Sequence, residues 1–187
     1  MRTPVLTIAA LAVLALTSAA VPAQTMRDQM WGGYDPGDTN GARGGRQLPT
    51  VVTGNPFSVP DADFVRTITE AMSPSAAVVS RDQEAAAKAP LRVLMLFNAS
   101  TYTGDRLCDR SKPLAVAPPS PAGSGSGGGR MDLVATFCRG DSPMTQVITS
   151  LNIAGPNDPH LKNMMQQVTA NLFPPRNPDR NGDLYDQ

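Results

Sequence analysis

Histidine is almost absent from this chain, and the groups that most often carry catalysis are correspondingly sparse. His160 is the only histidine among 187 residues, and no Gly-x-Ser-x-Gly segment occurs. A single histidine cannot form a metal centre of several imidazoles, and no nucleophile elbow accompanies it. We expect a non-enzymatic protein that needs no cofactor. A hydrolase remains a third functional hypothesis, without an acid–base pair to support it.

Excess charge of either sign is also lacking. Lysine and arginine together number 16, and so do aspartate and glutamate. A surface that binds nucleic acid or an anionic membrane normally carries a clear excess of positive charge. We therefore expect no nucleic-acid partner.

Long apolar runs are limited to one, which opens the chain. About 13 apolar or small residues lie between Val5 and Thr17, and the segment ending at Ala23 fits the small-x-small cleavage rule. We interpret residues 1–23 as a signal peptide that is cleaved between Ala23 and Gln24. No later run reaches the roughly 20 apolar residues of a membrane helix. We expect a periplasmic or secreted protein with no membrane span after cleavage.

Cysteine occurs only twice, at Cys108 and Cys138. The spacing does not fit a CxxC redox pair, and two thiolates alone do not form a zinc site. In an exported chain the default interpretation is one disulfide. Closing a loop of about 30 residues is worth roughly 3–4 kcal/mol of stability in the chain-entropy treatment.

Composition divides the mature chain into ordered and disordered parts. Residues 24–47 are rich in Gly, Asp, Arg and Asn without an apolar period, which predicts a disordered lead-in. A single domain is predicted over 48–175, with a flexible Pro/Gly/Ser loop at 113–129 and a disordered acidic tail at 176–187. The glycine run in that loop matches the letters of G-x-G-x-x-G. It follows prolines and precedes a strand, so it lacks the context of a dinucleotide site.

The sequence predicts that the domain is a small two-layer α+β sandwich. Apolar spacing predicts the order β-α-β-β-β-α, with two helices on one face of a mostly antiparallel sheet. The near-continuous apolar run at 91–98 is the clearest strand, and a cap at Asn157 or Asp158 starts the last helix. Residues 75–89 remain ambiguous between a strand and a helix.

Two weak metal motifs stand out. In the tail, Asn177, Asp179, Asn181 and Asp183 alternate as oxygen ligands do in a calcium loop, but the closing glutamate and flanking helices are missing. Near the mature start, the Met26 and Met30 thioethers offer soft ligands of the kind that Cu(I) prefers. A metal-responsive periplasmic module, binding calcium or copper, is therefore the second functional hypothesis.

Several segments resemble exported proteobacterial proteins to which no activity is assigned. The resemblance rests on "LPTVVTGNPFSVPDADF", "FCRGD" and "GPNDPHLKNMMQQVTANLFPP", and spans roughly residues 48–175. It implies a cell-envelope location and no particular reaction. The element order is also similar to that of small envelope-assembly lipoproteins, although the lipid-anchor cysteine of those proteins is missing here. This likeness is an analogy of fold and not of function.

The leading functional hypothesis is an exported, non-enzymatic envelope domain that binds a protein partner or a small ligand. Sheet edges and the 113–129 loop are the expected contact surfaces, because loops on rigid scaffolds commonly carry binding. The sequence makes no prediction of oligomeric state.

Overall fold

The computed structural model describes residues 24–43, 48–57, 59–72, 77–79, 83–98, 107–111 and 129–177. The predicted signal peptide with Ala23, most of the predicted 113–129 loop and the tail from residue 178 lie outside the described residues. Within the described part, no helix combines the length and apolar character needed to cross a bilayer.

Among the described residues, six strands form one mixed sheet in the order β1-β6-β5-β4-β2-β3. The four strands β1, β6, β5 and β4 pair antiparallel, while β2 pairs parallel with both β4 and β3. The strand bounds are Thr25–Met30 (β1), Leu48–Thr53 (β2), Ala77–Val79 (β3), Leu91–Phe97 (β4), Gly129–Arg139 (β5) and Ser142–Ile153 (β6). The long β5–β6 hairpin lies at the middle of the sheet, so both of its faces are largely buried.

In the part of the chain that the structure describes, four helices accompany the sheet: Pro36–Arg43 (α1), Asp61–Met72 (α2), Gln83–Lys88 (α3) and Pro159–Leu172 (α4). The main core forms where α2 and α4 pack on one sheet face, and Phe64, Ile68, Met164 and Val168 are 1% exposed or less. The predicted α+β class and the two helices on one face are therefore confirmed.

Asp158 is the N-cap residue of α4. Its Oδ1 accepts from the His160 amide at 2.9 Å and its Oδ2 from the Ala154 amide at 2.9 Å. Pro159 then occupies the first helical turn, where a missing N–H costs nothing. This geometry settles the choice between Asn157 and Asp158 in favour of Asp158.

The predicted disordered lead-in at 24–47 differs from the structure, which places β1 and α1 within 24–43. Strand β1 pairs along its whole length with β6. Tyr34 then enters the core with no exposed surface, and its hydroxyl donates to the Pro174 carbonyl at 2.8 Å. A second hydrogen bond joins the same two segments, since the Asn177 side-chain amide donates to the Tyr34 carbonyl at 2.9 Å. The ordered domain therefore extends beyond 48–175 in both directions, because these side chains bury one another.

The ambiguous 75–89 segment divides into the short edge strand β3 and the helix α3. The Gln83 side chain fixes α3 against the sheet, because its amide group forms hydrogen bonds with the β2 backbone as a neighbouring strand would. Its Oε1 accepts from the Val52 amide at 2.8 Å, and its Nε2 donates to the Thr50 carbonyl at 3.2 Å. This pairing places α3 on the sheet face opposite α2 and α4, where Ala86 packs beside Leu94.

Candidate ligand pocket beside the disulfide

The second sheet face carries the predicted disulfide. Cys108 and Cys138 are bonded, with a Cα–Cα separation of 5.7 Å, and neither has exposed surface. The bond ties the 107–111 turn to the end of β5. In the same layer, Leu107 packs on Leu96 and Val134, so the 107–111 turn covers part of the second sheet face. The turn and α3 thus stand side by side over β4.

The tip of the β5–β6 hairpin is fastened to this layer by internal contacts. Gly140 has φ +58°, a conformation that favours glycine, and its amide donates to the Pro90 carbonyl at 2.7 Å. Asp141 accepts from Arg110 Nε at 2.7 Å, and this hydrogen bond lowers the pKa of Asp141. Arg139 forms an ion pair with Asp38 of α1. The hairpin tip therefore holds the 107–111 turn in place together with the disulfide.

Arg92 is the largest fully buried side chain of the domain, at 2% exposure. It lies in β4 directly across from Cys138 and points to the same sheet face as Leu94. Its Nη1 donates to the Gly140 carbonyl at 2.7 Å and to the Ala89 carbonyl at 3.2 Å, while its Nη2 donates to the Cys108 carbonyl at 2.6 Å. One guanidinium thus joins the hairpin tip, the strand start and the disulfide turn.

The charge of Arg92 is only partly compensated. Among the described residues no carboxylate lies within ion-pair distance of it, and two of its five N–H groups have no acceptor. Burial and the nearby Arg110 cation lower the pKa of Arg92, and Asp141 offsets this in part. Arginine stays protonated nevertheless, because its intrinsic pKa is so high. A buried cation with spare donors favours a further acceptor.

A pocket of about 250 Å³ opens over Arg92, and we call it the Arg92 pocket. Helix α3, strand β4 and the disulfide turn each supply part of its wall. Its lining residues are Glu84, Ala87, Lys88, Arg92, Leu94, Leu107, Asp109 and Arg110. Most of the exposed lining is carbon, so the pocket combines an apolar wall with one buried positive charge.

The remaining charges lie at the mouth of the Arg92 pocket and have partners. Lys88 pairs with Glu84 along α3, and both side chains are largely exposed. Arg110 pairs with Asp141, and Asp109 accepts from the Ser111 amide at 2.9 Å. Exposed pairs of this kind are screened by solvent and contribute little energy. Arg92 is therefore the buried cation of the pocket, and no described carboxylate forms an ion pair with it.

Two other concave surfaces do not combine an apolar wall with a buried positive charge. A groove of about 380 Å³ crosses β1, β6 and β5 on the second sheet face. Its polar groups satisfy one another, because Thr25 and Ser150 share a hydrogen bond of 2.7 Å and Arg130 pairs with Asp132. A pocket of about 220 Å³ lies between α2 and the start of α4, where Asp158 is occupied as the helix cap.

Of the four predicted calcium ligands, Asn177 alone lies in the described part of the chain. Asn177 is 4% exposed, and its amide is bound to the Tyr34 carbonyl. Asp179, Asn181 and Asp183 lie outside the described part of the chain. No cluster of three or more His, Cys, Asp or Glu side chains suited to a metal occurs in the part that is described. The calcium loop therefore stays a prediction.

The methionines proposed for copper have packing roles in the structure. Met26 and Met30 are partly buried on the side of β1 that faces the main core. The Met26 sulfur also accepts from Asn171 Nδ2 at 3.0 Å. Adaptable thioethers of this kind commonly fill gaps in a core. The copper site stays a prediction without a described cluster to support it.

Sequence reasoning missed Arg92 as a functional residue, although a signal was present. It is the one charged residue in the apolar run "LRVLMLFN", which was interpreted only as a buried strand. A cation in such a run is either buried and hydrogen-bonded or placed at an edge. His160, the only histidine, pairs with the Asp158 cap at 2.8 Å and lies away from the Arg92 pocket.

Comparison with known proteins gives distant structural neighbours. No family model matches the chain, and no curated protein matches it. A PelC dodecamer from Paraburkholderia phytofirmans shares 12% identity at a TM-score of 0.42, covering 82% of this chain and 96% of that one. A point variant of the same PelC shares 13% identity at a TM-score of 0.40, covering 81% and 97%. Likeness at this level carries no argument about function.

Proposed function

We propose that the mature protein is a non-catalytic domain of a proteobacterial cell envelope that binds a small ligand in the Arg92 pocket. Export is supported by the signal-like first 23 residues and by the disulfide, because disulfides persist in oxidising compartments. Small-molecule sites are concave and mostly apolar, with a few placed polar groups. The Arg92 pocket has this composition.

The observation that carries the proposal is the buried Arg92 guanidinium with spare donors in an apolar wall. Arg92 uses three of its N–H groups on backbone carbonyls and keeps two without an acceptor among the described residues. A bound ligand that accepts from these two N–H groups would stabilise the folded protein by binding to it.

The wall of the Arg92 pocket is well suited to a ligand because it is rigid. The disulfide, the Arg92 hydrogen bonds and the Arg110–Asp141 pair fix the turn, while Gln83 fixes α3. A preformed wall avoids the entropy cost of ordering residues on binding.

Native mass spectrometry of the protein isolated from the envelope fraction of its own host tests the proposal. Ala87 lines the pocket, so Ala87→Phe places a ring in it; Ala85 lies exposed on the same helix, so Ala85→Phe is the matched control. We expect a small-molecule adduct on the wild type and on Ala85→Phe, and its loss from Ala87→Phe. A bare monomer in all three, or a second protein chain as the added mass, contradicts the proposal.

A further inference from the structure

We infer that the Arg92 pocket takes a monocarboxylate with a short aliphatic chain, an inference that rests on the proposed function and names its ligand class. Three properties of the pocket carry it: the sign and number of its buried charges, the chemistry of its wall, and its size.

The buried charge selects an anion. Arg92 is the one buried ionised side chain in the lining, and no carboxylate among the described residues pairs with it. A planar carboxylate accepts well from guanidinium N–H groups, and hydrogen bonds between two ionised groups are among the strongest in proteins. An ammonium group in the same place would face a like charge, which opposes its binding.

The mouth of the pocket limits the ligand to one negative charge. Glu84 and Asp109 lie in the lining, so a second anionic group near the opening would meet carboxylates. Lys88 is already paired with Glu84, and Arg110 with Asp141. A monoanion therefore matches the single buried cation better than a phosphate or a dicarboxylate does.

The wall and the volume define the rest of the molecule. Ala87, Leu94 and Leu107 present hydrocarbon beside the guanidinium, which favours an aliphatic group next to the carboxylate. A volume of about 250 Å³ lies below the roughly 300–1,000 Å³ of pockets that hold drug-sized ligands. Short-chain acids therefore suit that space, whereas long fatty chains would extend out of it.

Calorimetric titration of the purified mature protein with four probes tests the inference: octanoate, 1-octanol, octylammonium and acetate. We expect octanoate to bind at least about tenfold more tightly than octanol and octylammonium, a difference of about 1.4 kcal/mol or more. Acetate, which has the head group without the chain, should also bind at least about tenfold more weakly. Ala87→Phe should abolish octanoate binding, and Ala85→Phe should retain it.

Each contrary result has a separate meaning. Equal binding of octanol and octanoate overturns the charge inference and leaves a neutral ligand for the pocket. Tighter binding of octylammonium overturns it as well. No binding of any probe refutes the aliphatic monocarboxylate, while the adduct on the native protein still decides the proposed function. Unchanged octanoate binding by Ala87→Phe refutes the pocket itself.

A substitution at Arg92 adds a direct readout of the head-group contact. Arg92→Lys keeps the positive charge but removes the fork of donors. We expect octanoate affinity to fall at least about tenfold while octanol affinity changes little. If this variant does not fold, the four-probe comparison on the wild type and the two alanine variants still decides the inference.

Discussion

Removing the disulfide should weaken the domain by an amount that follows from its position in the chain. Cys108 and Cys138 are 30 residues apart, so the chain-entropy relation gives about 3.6 kcal/mol at 25 °C. Alanine at both positions keeps small apolar side chains in the layer that contains Leu94 and Ala86. The Arg92 bond to the residue 108 carbonyl is a backbone contact and remains available.

Urea unfolding of the oxidised wild type and the Cys108→Ala/Cys138→Ala double variant measures this loss. With a slope of about 2 kcal/mol per molar urea, the midpoint should fall by roughly 2 M. The reduced wild type serves as the control for the alanine substitutions and should fall by a similar amount. A midpoint shift below about 0.3 M would refute the account in which the bond fastens the 107–111 turn to β5.

Three further substitutions test the contacts that build the domain, all by urea unfolding. Tyr34→Phe should cost about 1 kcal/mol, because it leaves the partly buried Pro174 carbonyl without its donor; an unchanged midpoint would mean that the segment before β2 is not anchored there. Gly140→Ala should cost about 1–2 kcal/mol, since it forces a side chain into positive φ; the control Gly155→Ala, which has open space and no such φ, should cost clearly less. Asp158→Ala should cost about 1 kcal/mol near neutral pH through loss of the α4 cap. Burial acts to raise the pKa of Asp158, but hydrogen bonds from the Ala154 and His160 amides and the His160 side chain outweigh it and lower the pKa. The difference from wild type should therefore shrink as the pH falls from about 4 through the lowered value; a difference that grows on acidification would contradict the assignment.

The central elements of the fold could be predicted because their own residues determine them. The run at 91–97 is apolar except for Arg92, as expected of a strand buried on both faces, and it becomes β4. The stripe of Leu161, Met164, Met165, Val168 and Leu172 predicts the buried face of α4. Both elements bury enough apolar surface for local pattern and tertiary packing to agree.

The segment before β2 could not be predicted, because its order comes from distant partners. Strand β1 reads "TMRDQM", which has no strand-like alternation of strongly apolar residues. It is an edge strand, held by pairing with β6 and by the packing of Met26 and Met30 on the core. Tyr34 is buried against residues about 140 positions later in the chain. No local sequence pattern can indicate contacts between residues so far apart in the chain.

The Arg92 pocket depends on tertiary arrangement in the same way. Sequence reasoning found the cysteine pair and the apolar strand, and both contribute to the wall. It did not find that the 107–111 turn and α3 lie side by side over β4, since that requires Gln83 to bridge to β2. Arg92 becomes a candidate binding group only once those two elements stand over it.

The most direct test of the account is an NMR titration of the ¹⁵N-labelled mature protein with octanoate. We expect saturable shifts concentrated in the amides of α3, the 107–111 turn and the start of β4, with the largest at Arg92 and its neighbours. Shifts confined to the β1–β6–β5 groove, or no saturable shift at any amide, would contradict the claim that the Arg92 pocket is the ligand site.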